Sequence, residues 1–164
     1  MKPDDIDFQF RHEKHSWTLA RLSIAKMGFE YDATEHVFHL TYLWDSPAEV
    51  FVNAMLKLAE GKPHVAFTVY TEPGRFDWTF SLVLNAHHLD QVEIRYYSED
   101  HVEEGQNALQ LISFVVKRSF WLKLVQAELG KLMLLASDED YAKDRHVEAL
   151  PWDAMHALCG KIPA

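Results

Sequence analysis

Apolar and polar residues alternate through two early segments of the chain, residues 16–25 and 35–44. In the second segment Phe38 and Leu40 fall on one side and His39 falls on the other. Successive side chains of a strand point to opposite faces, and both segments are rich in β-branched and aromatic residues. The pattern therefore predicts two strands in the first third of the chain.

The period changes to that of a helix after residue 46, within the sequence WDSPAEVFVNAMLKLAEGK. Ser46 is the expected N-cap, Pro47 suits the first helical position, and Glu49 completes a capping box. Gly61 suits the residue after the C-cap, where a left-handed backbone is common. These signals predict a helix over residues 47–60.

Three further alternating runs follow that helix, separated by short links. Because a parallel crossover needs a dozen or more residues, links this short join antiparallel neighbours. One face of the resulting sheet is apolar and the other is polar. The predicted three-stranded meander consists of residues 65–69, 76–84 and 92–96, with links at 71–75 and 85–90.

The first of these links contains the sequence Glu72-Pro73-Gly74-Arg75. Proline presets φ and glycine supplies a positive φ, so the pair predicts a type II turn centred on Pro73 and Gly74. Glu72, Arg75 and, just beyond, Asp77 have no structural role that the pattern assigns.

The last third of the chain changes to helical spacing. Residues 105–130 are apolar around most of a helical circumference, which predicts a long helix buried on more than one side. Ser137 and Pro151 mark the starts of two shorter helices. Strands followed by helices indicate an α+β fold: one domain over residues 1–164, with an antiparallel sheet of about five to six strands, a crossing helix, and the long and short helices packed on one face.

Composition narrows the function classes. The chain has 164 residues and a net charge of −9 at pH 7, which disfavours a nucleic-acid partner and favours a cationic one. Cys159 is the only cysteine, and we expect a reducing cytoplasmic location. The N-terminus lacks the apolar stretch of a signal peptide. The sequence also contains no run of about 18 apolar residues, so we expect no membrane span.

Catalytic and metal-binding motifs are weak in this sequence. His87, His88 and Asp90 lie close together, but adjacent strand residues point apart and do not share one metal. The other histidines, including the pairs His12/His15 and His36/His39, are expected at surfaces or turns. Cys159 near His156 is expected to pack as a small apolar residue. We predict no catalytic residue, no metal and no cofactor, with a His-based metalloenzyme as the alternative.

Several turn, cap and packing signals together resemble a group of small bacterial α+β proteins. They are the capped helix start at 46–49, the E-P-G turn followed by Trp at 72–78, Tyr141, and the L-P-aromatic segment at 150–155. The resemblance covers most of the chain from about residue 15. Some proteins of this group look like immunity proteins, which neutralise polymorphic toxins. The resemblance implies a non-catalytic protein whose partner is a cognate toxin domain. A cationic nuclease is one such toxin.

The candidate binding residues cluster where the meander leads into the last third of the chain. Tyrosine offers a stiff contact area with a polar tip, and carboxylates attract a basic partner. There are three alternatives to this binding segment. It is only a solvated loop, the outer face of the meander binds the partner, or a helical face with Phe114, Trp121 and Val125 forms a homodimer. The homodimer would make the protein a structural or regulatory dimerisation module. The predicted partner-binding residues are Tyr96, Tyr97, Glu99, Asp100, Glu103 and Glu104, with Arg75 and Asp77 at the turn.

Overall fold

The computed structural model describes residues 2–14, 18–25, 33–41, 46–98 and 108–162. They form an α+β fold with two antiparallel sheets, ordered β1-β2-β3 and β4-β5-β6-β7. The single sheet of five to six strands that the sequence predicted is therefore two sheets, of three and four strands. The elements are β1 (Asp5–His12), β2 (Thr18–Ala25), β3 (Ala33–Leu40), α1 (Pro47–Ala59), β4 (His64–Thr71), β5 (Gly74–Val83), β6 (Ala86–Tyr97), β7 (Gln110–Lys117), α2 (Arg118–Ala136), α3 (Glu139–Ala142), a 3₁₀ turn (Val147–Ala149) and α4 (Trp152–Lys161).

Helix α1 begins at the predicted Pro47 and ends at Ala59, one residue before the predicted end. The Glu49 N–H donates to the Ser46 hydroxyl at 3.3 Å, which satisfies one of the unpaired donors of the first turn. At the other end Gly61 has φ +82°, and the Lys62 N–H donates to the Lys57 carbonyl at 3.1 Å. This is a Schellman motif, and its left-handed residue is the glycine.

The predicted meander is confirmed as β4, β5 and β6, but the turn between β4 and β5 differs from the prediction. Thr71 pairs with Gly74, so the turn residues are Glu72 and Pro73, joined by a cis peptide bond. A cis proline at this position belongs to a type VI turn and not to type II. Gly74 lies in the strand itself, where an added Cβ would come within 2.2 Å of the Tyr97 carbonyl oxygen.

The predicted helix over residues 105–130 is wrong in its first half. Residues 110–117 form β7, and the helix begins at Arg118. Ile112 and Phe114 are buried and pair with Ile94 and Val92 of β6. The segment "ISFVV" is apolar at strand spacing as well as at helix spacing, and its β-branched residues favour the strand.

Strand β1 is the other element that the sequence pattern did not assign. Its buried positions alternate through Ile6, Phe8, Phe10 and His12. Acidic residues of the N-terminus occupy outward positions between these buried ones. When the segment was compared only with a signal peptide, their charge drew attention away from the period-two alternation of a strand.

The two sheets meet at two seams. On one side the Asp4 N–H donates to the Val115 carbonyl at 2.7 Å, and the Val115 N–H donates to the Asp4 carboxylate at 2.8 Å. On the other side the Thr41 N–H donates to the Tyr70 carbonyl at 3.0 Å. The Thr41 hydroxyl also donates to Glu72 at 3.3 Å, so Glu72 has a structural role at this seam.

The aromatic core lies between the two sheets and is completed by helices. Trp121 of α2 is fully buried, with its ring centroid 4.9 Å from that of Phe8 and 5.5 Å from that of Phe80. Phe51 of α1 stacks 5.5 Å from Phe8 and 5.1 Å from Phe10. The helices thus join both sheets into one cluster of buried side chains.

A buried ion pair fixes the junction between β7 and α2. Arg118 donates from Nε and Nη2 to the two carboxylate oxygens of Asp90, at 2.8 and 2.7 Å. Its Nη1 donates to the Lys62 carbonyl at 2.8 Å. The Asp90 side chain is only 1% exposed, so the bidentate guanidinium supplies the charge that this carboxylate needs away from water.

Candidate functional site

The outer surface of the second sheet, which we call the polar face, carries side chains that alternate away from the core. The strand register aligns them in rows across β4, β5 and β6. Each of these side chains is partly exposed, while the residues between them form the core. The polar face consists of Thr68, Tyr70, Arg75, Asp77, Thr79, Glu93, Arg95 and Tyr97.

Charged groups on the polar face hold one another in place. Asp77 accepts from the Thr68 hydroxyl at 2.8 Å and lies 3.4 Å from Arg75 Nε. Arg95 forms an ion pair with Glu93 on the same strand. Because these side chains are already ordered by their neighbours, less side-chain freedom remains to be lost when a partner docks.

Arg75, Asp77 and Tyr97, which the sequence predicted as binding residues, come together at one end of the polar face. The register pairs Arg75 directly with Tyr97, and the Arg75 guanidinium carbon lies 5.1 Å from the centre of the Tyr97 ring. This is cation–π geometry. The arrangement presents an aromatic side chain and two opposite charges on a rigid sheet.

Tyr96 does not join that group, because adjacent strand residues point to opposite faces. Its ring packs on Phe76 with centroids 5.0 Å apart, and its hydroxyl donates to the Pro73 carbonyl at 2.7 Å. In this position Tyr96 holds the β4–β5 turn against β6.

The four predicted acidic residues Glu99, Asp100, Glu103 and Glu104 lie outside the described residues. Strand β6 ends at Tyr97. The structure describes the chain as far as the next residue, Ser98, and again from residue 108. In sequence, the acidic segment therefore follows directly from the end of the polar face that carries Arg75, Asp77 and Tyr97.

Two leucines add an apolar rim that the sequence pattern did not predict. Leu109 and Leu111 are each 55% exposed, and Leu111 is the register partner of Arg95. The helical spacing over residues 105–130 conceals them. Leu111 is an outward residue of β7 and Leu109 lies just before that strand, which no apolar alternation in "LQLISFVV" reveals.

A shallow hollow of about 380 Å³ lies on the polar face, lined in part by Thr68, Asp77, Arg95 and Tyr97. Its walls offer one carboxylate, one guanidinium and a phenol ring. These groups suit contact with a protruding polar side chain of another protein, because both charge signs and an aromatic surface are within one recess.

His12 and Cys159 are in surroundings that differ from those of exposed nucleophiles. His12, expected at a surface or turn, is only 3% exposed, and burial lowers its pKa from the usual 6.5. Burial raises the pKa of the Cys159 thiol, which leaves less thiolate at neutral pH. Within the described residues no group of three or more His, Cys, Asp or Glu side chains is placed to hold a metal ion.

Comparison with protein-family models, with curated proteins and with solved structures gave no match. Within the described part of the chain, none of the helices has the length and apolar character needed to span a membrane.

Proposed function

We propose that this protein is a non-catalytic binding protein and that the polar face, with the acidic segment that follows it, docks another protein. The observation that carries the proposal is the convergence of Arg75, Asp77 and Tyr97 on a partly exposed sheet surface with an apolar rim. Tyrosine and arginine are among the residue types that contribute most to binding energy at protein interfaces.

We further propose that the partner is a cognate bacterial toxin domain, met in the cytoplasm. The support is the net charge of −9, which speeds encounter with a cationic surface, and the resemblance to immunity proteins in turn and cap motifs. An inhibitor that blocks a toxin needs no chemistry of its own, only a pre-ordered surface and a fast association rate.

Co-expression with the toxin-like product of the neighbouring gene tests this function. We expect a stable complex and rescue of a bacterial host from toxicity. Tyr97→Ala should weaken the complex about thirtyfold, or about 2 kcal/mol, in a calorimetric titration. Arg21→Ala is the matched control, since Arg21 lies on β2 in an exposed ion pair with Glu35.

The toxin proposal fails if the neighbouring product neither binds nor is neutralised. The assignment of the polar face fails if the complex forms but Tyr97→Ala binds as the wild type does, or if Arg21→Ala is impaired as much as Tyr97→Ala. These two failures are separate, because the first concerns the identity of the partner and the second concerns the surface.

A helical dimerisation surface is the second candidate. Phe114, Trp121 and Val125, on which the sequence-based version rested, are fully buried within one chain. The observation that favours a dimer is instead Leu134 near the end of α2, with 72% of its surface exposed. Sedimentation of a monomer throughout the micromolar concentration range would exclude this function.

A further inference from the structure

A segment near the end of the chain, residues 138–149, contacts the end of β1, and we call it the strap. It contains α3 and the 3₁₀ turn, and none of its residues is buried. Asp144 and His146 have φ values of 62° and 52°, a left-handed backbone that costs free energy in residues other than glycine. Because it has few buried contacts and two strained residues, we expect the strap to open more easily than the core.

The strap is attached to β1 at His12, which is only 3% exposed. Among the described residues, two hydrogen bonds join the strap to β1, and both use His12. The Tyr141 hydroxyl donates to the His12 carbonyl at 2.9 Å, and the ring nitrogen Nε2 of His12 lies against the Arg145 carbonyl. Since a carbonyl only accepts, Nε2 carries a hydrogen and donates it to Arg145.

The other ring nitrogen of His12 has no acceptor for a second proton. Nδ1 is buried and has no hydrogen-bond partner among the described residues. Protonation would make Nδ1 a donor without an acceptor and would place a positive charge away from water, and both changes are unfavourable. Burial accordingly lowers the pKa of His12 from its usual 6.5.

Charged groups around His12 act on the protonated ring in addition to burial. Arg145 and His146, which both belong to the strap, repel it, whereas Glu13 and the hydrogen bond to the Arg145 carbonyl favour it. Departure of the strap would remove both repulsive groups and part of the cover over the ring. The other charged or titratable side chains around this site are Arg11 of β1, Tyr141 of the strap, and Lys131 of α2 with its partner Glu128.

We propose that protonation of His12 releases the strap from β1 while the two sheets remain folded. In the closed arrangement the ring is neutral and both hydrogen bonds are made. Once the strap has moved away, water surrounds the ring and accepts from both ring nitrogens, and the two left-handed residues of the strap relax. Acid favours this open arrangement, because it binds one more proton than the closed one.

Release of the strap changes the surface that the protein offers. Tyr141 and Arg145 of the strap line a recess of about 280 Å³ together with Phe10 and Leu132, which are each 1% exposed. When the strap leaves, its side chains leave this recess, and apolar surface of β1 and α2 meets solvent. The strap thus couples pH to the exposure of an apolar surface that shares no residue with the polar face.

Hydrogen exchange of the whole protein, followed by mass spectrometry at pH 7.5 and pH 5.5, tests the proposal. Each rate is divided by the rate of an unstructured peptide at the same pH, so that opening equilibria are compared. One proton taken up by an open state with the ordinary pKa of about 6.5 makes opening easier by at most about tenfold between these pH values. We expect a severalfold loss of protection in the strap. Because its opening is local, the strap should be at least about tenfold less protected than α1 at both pH values.

His12→Gln keeps an N–H donor for the Arg145 carbonyl but cannot take up the proton, so the strap should lose its pH dependence in this variant. His39→Gln, at an exposed position on β3, is the matched control and should respond as the wild type does. His146→Asn removes the histidine of the strap itself and should keep most of the response, since asparagine tolerates a left-handed backbone.

Three results would overturn the proposal, and the first two need no variant. One is equal protection of the strap at pH 7.5 and pH 5.5. Another is equal protection of the strap and α1, which would make the opening global. The third is a wild-type response in His12→Gln, or a response lost as fully in His146→Asn. If His12→Gln does not fold, NMR titration of the wild type replaces it: the His12 ring and the strap signals must then change with the same midpoint.

Discussion

At the scale of single residues, the surroundings of His12 make stability depend on pH. Desolvation lowers the pKa of His12, while the hydrogen bond to the Arg145 carbonyl and the charge of Glu13 oppose that shift; Arg145 and His146 add repulsion. Below the unfolded-state pKa of about 6.5 the unfolded chain takes up a proton that the folded chain resists. The free energy of unfolding should therefore fall as pH drops below about 6.5, and level off below the folded pKa.

Urea unfolding of the wild type and of His12→Gln at pH 7.5 and pH 5.5 checks this dependence. Replacement by glutamine should reduce the loss between the two pH values. His36, whose pKa burial also lowers, adds a slope of the same sign in both proteins, so the comparison between them isolates His12. An equal loss in the two proteins would contradict the prediction. His39→Gln, at an exposed position on β3, is the control.

The burial of His12 is a property that sequence could not supply at this scale. A histidine on a strand is buried only if that face meets another element, and here the covering residues come from the far end of the chain. Local pattern carries no information about such distant contacts. The environment of His12 depends on Arg145, 133 positions away.

The two neighbouring tyrosines of β6 show the opposite case, in which the sequence already contained the answer. Tyr97 meets Arg75 and Asp77 on the polar face. Tyr96 lies on the other side of the sheet, against Phe76. Because side chains alternate along a strand, consistent use of the period-two pattern assigns the pair to opposite faces from the sequence alone.

At the scale of elements, the cap residues of α1 were informative, whereas other turn and cap signals and the apolar period were not. The Pro73-Gly74 pair predicted the wrong turn, and Ser137 ends α2 while Asp138 caps α3. The cap residues Ser46 and Gly61 located α1 because each has a specific backbone role. The segment 110–117 satisfied both helix and strand spacing, and only its pairing with β6 decides between them. Long-range pairing is the information that a local window lacks.

Helix α2 offers a direct measure of how much its buried face contributes. Trp121→Ala removes the ring that contacts Phe8 and Phe80 and should cost about 3–5 kcal/mol of unfolding free energy. The neighbouring Phe120→Ala is the control: Phe120 is 42% exposed, and we expect a loss of less than about 1 kcal/mol. Denaturant unfolding measures both. Similar losses would show that the helix is placed differently.

At the scale of the whole molecule, the mixed α+β class followed from the order of elements, but the division into two sheets did not. The two sheets touch at the seams at Asp4 and Thr41, and the contacts there are made by backbone groups and side-chain oxygens. Nothing in residue type marks such a contact. The number of strands was underestimated for the same reason, because β1 and β7 become recognisable mainly through what they lie beside.

The Arg118–Asp90 pair connects three parts of the molecule, since Arg118 also bonds to the Lys62 carbonyl after α1. Arg118→Leu leaves a buried carboxylate without its counter-charge and should cost about 3–5 kcal/mol. Arg21→Leu breaks an exposed pair and should change stability by less than about 1 kcal/mol. Thermal unfolding of both variants at neutral pH provides the comparison. A loss for Arg118→Leu no greater than for Arg21→Leu would contradict the role of the pair.

The outer edge of β1 also has a consequence for the order in which the chain assembles. The partners of this edge are distant in sequence. Val115, which bonds to Asp4, lies 111 positions from Asp4. Glu128, which accepts from the Phe10 N–H, lies 118 positions from Phe10. The second sheet instead closes through hairpins such as Thr68–Asp77, only nine positions apart. Closing short loops costs less entropy, so the hairpins are expected to form early and β1 to acquire its edge partners late. On the ribosome, β1 emerges before β7 and α2, so its outer edge stays unprotected until α2 has emerged, and during that period it is open to pairing with other chains.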